Sequence, residues 1–100
     1  MHFSTKDLVN ITGGRLLSGP VEAWFSGAVI DSRKAQPGDL FVPLQGEKEN
    51  GHQYILAALE QGAAGSLLEY GEITGFSGLE FPPGKVILAV ENALQALQRL

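Results

Sequence analysis

The strongest constraint on the fold is the spacing of three apolar runs, Leu40-Phe41-Val42-Pro43-Leu44, Gly65 to Tyr70 and Lys85 to Val90. Each has strand length and little polar alternation, the pattern of strands buried on both faces of a sheet. Between the first two, Asn50 can cap a helix with Gln53 three residues on. Tyr54, Ile55, Ala58, Leu59 and Gly62 then share one helical face, which Gly62 closes. Strand, helix and strand in that order predict an α/β unit. Pro43 cannot donate to a ladder, so the first run is expected to end there. Gly71 to Gly84, rich in Gly and Pro, reads as a long connection into the last strand.

Upstream, Ser4 is a candidate N-cap with Asp7 at N3 and Phe3 stapled onto Leu8; Leu8 and Ile11 form the apolar stripe and Gly13-Gly14 the stop. Arg15-Leu16-Leu17 and Ala23 to Ile30 read as strands around the turn Ser18-Gly19-Pro20, and Ala28-Val29-Ile30 is the most apolar part. Pro37-Gly38 suits the centre of a type II turn, because proline presets φ and glycine accepts a positive φ. The two N-terminal strands are joined too tightly for a crossover, which predicts a small mixed β-sheet flanked by helices in two or three layers. Glu91 to Leu100 places Leu94, Leu97 and Leu100 at helical spacing. A helix of roughly ten residues is marginal in water, so it is expected to dock on the domain or to continue into something further.

Composition removes several function classes. One hundred residues suit a single domain. With no cysteine there is no disulfide, thiol nucleophile or Cys-based zinc site. Seven basic against eleven acidic residues leave a net charge of -4, which opposes a nucleic-acid partner, although a small phosphorylated ligand needs only one basic loop. His2 and His52 are the only histidines and lie far apart, so no metal site is expected. No apolar run approaches the roughly 18 residues of a membrane span, and the start MHFSTKDLVN lacks a signal-peptide pattern. A cytoplasmic location without membrane contact is expected.

No catalytic constellation emerges from the residues. Gly84-Lys85 has Leu79 where a phosphate loop requires glycine and Val86 where it requires Ser or Thr. No G-x-G-x-x-G follows a strand, Ser32 lacks a glycine-flanked elbow, and His52 has no identifiable orienting partner. What remains is binding chemistry on two loops flanking the strand at Leu40: the Ser32 hydroxyl, Arg33, Lys48, Asn50 and backbone donors at a helix start, with Gly46 and Gly51 allowing close approach. Such groups suit a phosphate ester. The same residues also fit a plain reading, with Asp31-Ser32 a turn cap, Arg33-Lys34 a solvated pair and Asn50 a helix cap.

The segment DSRKAQPGDLFVPLQGEKENGHQYILAALEQGAAGSLLE resembles the N-terminal substrate-binding domain of the Mur ligases, which lengthen the peptidoglycan stem peptide. The DSR turn, the PGDLFV strand and the G-E-x-x-x-G-H loop are its most specific portions. ITGGRLLSG and VENALQALQRL resemble the MurF-type branch, which joins D-alanyl-D-alanine to UDP-N-acetylmuramoyl-tripeptide, more than the MurE-type branch, which adds the third stem-peptide residue. The resemblance implies residues 1–90 as a UDP-MurNAc-peptide-binding domain and 91–100 as a helix leading into a central ATP-binding domain outside these residues. ATP and Mg2+ would act there, activating the terminal carboxylate as an acyl phosphate, and no cofactor would bind in this domain. A stand-alone UDP-sugar-binding module is the non-catalytic alternative.

Residue by residue, the resemblance implies that Ser32 hydrogen-bonds the uridine or diphosphate and that Ile30 lies near the uracil ring. Gly46, Glu47, Lys48 and Glu49 fall in the second substrate loop, with Asn50, Gly51 and His52 following at the helix start. Lys48-Glu49 stands where relatives often carry arginine or asparagine with an aromatic residue, and Asn50 where they carry an acid.

Overall fold

The computed structural model describes residues 2–100. It is a three-layer α/β/α unit whose central sheet has the order β2-β7-β6-β5-β4. These strands are β2 (Arg15–Ser18), β4 (Gly27–Val29), β5 (Asp39–Phe41), β6 (Gly65–Glu69) and β7 (Val86–Val90). β4 to β7 pair in parallel, and β2 pairs antiparallel with β7. The mixed sheet is as expected, but not for the expected reason. The two N-terminal strands do not pair with each other; they stand on opposite edges, and β2 reverses against the last strand.

Consecutive residues of the inner strands face opposite layers. Leu67, Val86, Leu88 and Val90 join Leu8, Phe25, Leu40 and Val42 in one core, whereas Leu68 and Ile87 join Phe41, Ile55, Ala58 and Leu59 in the other. Two helices, α1 (Thr5–Thr12) and α3 (Ala93–Arg99), cover the first face, and α2 (Ile55–Gln61) covers the second.

The local signals at α1 hold. Ser4 Oγ accepts from Asp7 N and Asp7 Oδ2 accepts from Ser4 N, both at 3.0 Å, and Gly13 ends the helix. Leu8 is fully buried beside Thr5, but Ile11 is exposed, so the expected stripe shifts toward Thr5 and Val9.

The run Ala23 to Ile30 is not one strand. Its first part, β3 (Trp24–Phe25), pairs antiparallel with an unexpected β1 (Phe3–Ser4), where Phe3 stacks on Phe25 at 5.6 Å between ring centroids. Ser26 N then donates to Gly38 O at 2.8 Å, and the chain transfers into the main sheet as its edge strand. Ile30 lies beyond that strand and is 56% exposed.

The Pro37-Gly38 turn forms, with Asp39 N donating to Gln36 O at 3.0 Å and Gly38 at φ 91°. β5 ends before Pro43, as its missing donor requires. Asn50 caps a 3-10 turn, Gly51–Tyr54, so α2 begins later than its cap suggested. The cap is an Asx turn in which Asn50 Oδ1 accepts from His52 N at 3.0 Å, rather than a box with Gln53. The long connection contains a second 3-10 segment, Tyr70–Phe76, and the rings of Phe76 and Phe81 stack at its end. On α3 the buried residues are Ala93 and Ala96, flanked by half-buried Leu97 and Leu100, while Leu94 is 49% exposed. The expected leucine stripe is therefore rotated: small alanines let the helix sit close to the sheet.

Candidate functional site

In parallel sheets, ligands collect in the crevice outside the carboxyl ends of the strands. A cleft of about 740 Å³ occupies that position here. One wall is the chain leaving β4, namely Ile30, Asp31, Ser32 and Arg33; the other is Glu49, from the loop after β5, with Tyr54 and Ala57 from the start of α2. The size suits a small-molecule ligand. The two loops singled out in the sequence therefore do converge, through a different set of residues on the second.

The first wall is built by Asp31. Its Oδ1 accepts from Arg33 N at 3.0 Å and so starts the 3-10 turn Ser32–Lys34. Its carboxylate also takes Arg33 Nε at 3.1 Å and Nη2 at 2.9 Å. The Arg33 side-chain bond, then the Arg33 backbone bond, hold the Asp31 pKa down at about 2. The same side-chain bond to Asp31 raises the Arg33 pKa. The Arg33 side chain is 87% exposed, and an exposed pair is weak, so the guanidinium can leave Asp31 for a better-placed anion. Ser32 is half-buried in the same wall. Opposite, burial and then the hydrogen bond with the neighbouring Glu49 carboxylate raise the Tyr54 pKa.

Ile30, Tyr54 and Ala57 offer apolar surface for a flat ring, Ser32 a hydroxyl and Arg33 a planar cation. Glu49 and Asp31 limit how much negative charge the cleft accepts, so a ligand with both a ring and a phosphate fits better than a polyanion.

The remaining candidate residues lie elsewhere. Gly46, Glu47 and Lys48 are exposed on a tight hairpin in which Gly46 N donates to Glu49 O at 2.7 Å and Gln45 bridges to Asn50. Gly51 is needed by the fold: a Cβ there would stand 2.6 Å from Leu44 N. His52 is 3% exposed, and both ring nitrogens bond within the chain, to Asn50 Oδ1 at 2.8 Å and to Glu69 N at 3.0 Å. Glu49, Tyr54 and Ala57 were not among the candidate contacts. Glu49 lay in the flagged loop, but Tyr54 read as part of the buried helical face, and only its place on the capping turn hinted otherwise.

The described residues do not fit an ATP and Mg2+ site. Lys85 Nζ donates to Ala63 O at 2.7 Å, so the lone Gly-Lys pair points its cation into the fold. No group of three or more His, Cys, Asp or Glu able to hold a metal occurs among the described residues. No helix there is long and apolar enough to cross a membrane. A second cleft, about 510 Å³ beside Val9, Leu16 and Val21, lies between α1 and β2, away from the ends of β4 and β5.

The family described as "Mur ligase family, catalytic domain" matches residues 25–100. The chain is 33% identical over 92 residues to the UDP-N-acetylmuramoyl-tripeptide--D-alanyl-D-alanine ligase of Treponema pallidum, covering 90% of this chain and 20% of that protein. It is 36% identical over 95 residues to the UDP-N-acetylmuramoyl-L-alanyl-D-glutamate--2,6-diaminopimelate ligase of Chlorobium phaeobacteroides, covering 90% of this chain and 16% of that one. The chain thus spans about a fifth or less of the length of these relatives. The crystal structure of MurF from Acinetobacter baumannii shares the fold, with a TM-score of 0.77 at 21% identity, over 100% of this chain and 20% of that one.

Proposed function

The chain belongs to the Mur ligase family, and from that premise we propose that it is the substrate-holding part of an ATP-dependent amide ligase that joins D-alanyl-D-alanine to UDP-N-acetylmuramoyl-tripeptide. The cleft between Ile30–Arg33 and Glu49, Tyr54 and Ala57 carries this reading. Uracil lies against Ile30 and Tyr54, Ser32 hydrogen-bonds the uridine diphosphate, and Arg33 turns from Asp31 to the phosphates. Lys48, exposed on the hairpin, adds charge from outside.

Residues 1–90 hold the nucleotide in this reading, and 91–100 lead toward an ATP-binding part, anchored by Ala93 and Ala96 in the core shared with Leu8. ATP and Mg2+ act in that other part, in the cytoplasm. Holding one end of a long substrate makes its far carboxylate's encounter with the activating groups effectively intramolecular.

A MurE-type ligase, adding the third stem-peptide residue, is the second reading, favoured by the 36% identity to the diaminopimelate ligase. Assay of the full-length enzyme with D-alanyl-D-alanine and with diaminopimelate separates the two. Titration calorimetry of this chain tests the shared part. Heat is expected with UDP-N-acetylmuramoyl-tripeptide and with UDP, and none with ATP. Heat with ATP alone would overturn the assignment.

A further inference from the structure

We propose that His52 is the positioning residue of the cleft: its imidazole latches the segment bearing Glu49 and Tyr54 to the end of β6, and protonation of the ring opens the latch and weakens ligand binding. The inference rests on the cleft being the uridine-diphosphate site.

The bonding pattern dictates the ring's state. Glu69 N, a backbone donor, lies 3.0 Å from Nε2, so Nε2 must carry the lone pair. Asn50 Nδ2 donates to Glu72 Oε1, which turns Asn50 Oδ1 toward the histidine. That oxygen accepts from His52 N at 3.0 Å and sits 2.8 Å from Nδ1, so Nδ1 carries the proton. A neutral imidazole with its proton on Nδ1 satisfies both ends, whereas an imidazolium would set a second donor against Glu69 N–H.

Two acidic groups face the ring, Glu69 from β6 and Glu72 from the following 3-10 segment, with Glu72 Oε1 3.9 Å from Nδ1. Both favour protonation, but burial outweighs them and holds the His52 pKa below its ordinary 6.5. When acid does charge the ring, the contact with β6 is lost and the contact with Glu72 is strengthened. The strand end is a shared post: Glu69 Oε1 accepts from Gln45 Nε2 at 3.0 Å and Oε2 from Ala93 N at 2.8 Å. Releasing it loosens the hairpin that ends in Glu49 and the turn that ends in Tyr54. The sign for stability is the same. With the folded pKa below the unfolded one, the contribution is complete above about pH 6.5 and falls as the pH drops through the folded value.

Two measurements on the chain test this. The first is the nitrogen NMR titration of His52, which needs no ligand. It is expected to show the Nδ1–H tautomer and a pKa below 6.5; the Nε2–H tautomer, or a pKa at or above 6.5, overturns the latch. The second is the affinity for UDP-N-acetylmuramoyl-tripeptide between pH 8 and pH 5, in wild type, His52→Gln and His52→Ala. Glutamine offers one donor and one acceptor and does not titrate. Wild type is expected to lose about fivefold or more in affinity as the ring charges, the equivalent of one net hydrogen bond. His52→Gln is expected to keep a flat profile near the pH 8 value, and His52→Ala to bind weakly throughout. A wild-type profile flat through the ring's titration, or the same acid loss in His52→Gln, overturns the role in binding. No binding by wild type at pH 8 overturns the cleft reading and ligand control with it, while the latch itself is judged by the ring titration.

Discussion

Asp31 grips the Arg33 guanidinium twice, at 2.9 and 3.1 Å, and caps the Arg33 backbone N–H with the same carboxylate. One acidic residue thereby shapes the turn and aims the only cation among the described residues in the wall of the cleft.

That arrangement has a titration signature. With its pKa held at about 2, Asp31 supports the turn fully above its ordinary value of 3.8, and the support fades as pH falls through about 2. Carboxyl NMR should find this low value in wild type and a rise toward 3.8 in Arg33→Ala. A wild-type Asp31 titrating near 3.8 would contradict the pairing.

Ser32→Ala should leave stability within about 0.5 kcal/mol, because the hydroxyl lies on a half-exposed turn. UDP affinity should fall by about fivefold, the cost of one net hydrogen bond. Calorimetry reads the second effect and thermal melting the first; unchanged affinity removes Ser32 from the site.

Gly51→Ala should destabilise the chain by about 1–3 kcal/mol, an overpacking cost. Its Cβ would lie 2.6 Å from Leu44 N, 2.7 Å from Leu44 O and 3.0 Å from Pro43 C, all backbone atoms that cannot swing aside. Urea unfolding measures this directly. A neutral result would mean that the loop after β5 relaxes freely.

On α3, Leu94→Ala should cost less than about 1 kcal/mol, since the side chain is 49% exposed. Ala96→Leu should cost about 1–3 kcal/mol, because Ala96 is buried against the sheet. Equal losses in urea unfolding would restore the leucine stripe as the packed face.

Features governed by neighbours in the chain were legible in the sequence. The Ser4 cap with Asp7, the Pro37-Gly38 turn, the stop before Pro43 and the Gly62 helix end each depend on a few adjacent residues, and all appear. The buried strands were legible too: β7 is covered on both faces and reads as an unbroken apolar run, and β6 carries the apolar pair Leu67-Leu68 between Ser66 and Glu69. Of the candidate residues, Ile30, Ser32 and Arg33 line the cleft, whereas Gly46, Glu47, Lys48, Asn50, Gly51 and His52 lie outside its wall.

What stayed hidden depends on partners distant in sequence. Trp24-Phe25 leaves the main sheet because Phe3-Ser4 pairs with it, and nothing within Ala23 to Ile30 announces that partner. His52 looks like a ligand-facing histidine until β6 brings the Glu69 N–H to its ring. The sequence by itself determined the caps, turns, strand cores and α/β class, since periodicity and local backbone chemistry act over a few residues. The tertiary structure alone decided the sheet order, the faces of α3 and which loop residues meet across the cleft, because those follow from contacts between segments far apart in the chain.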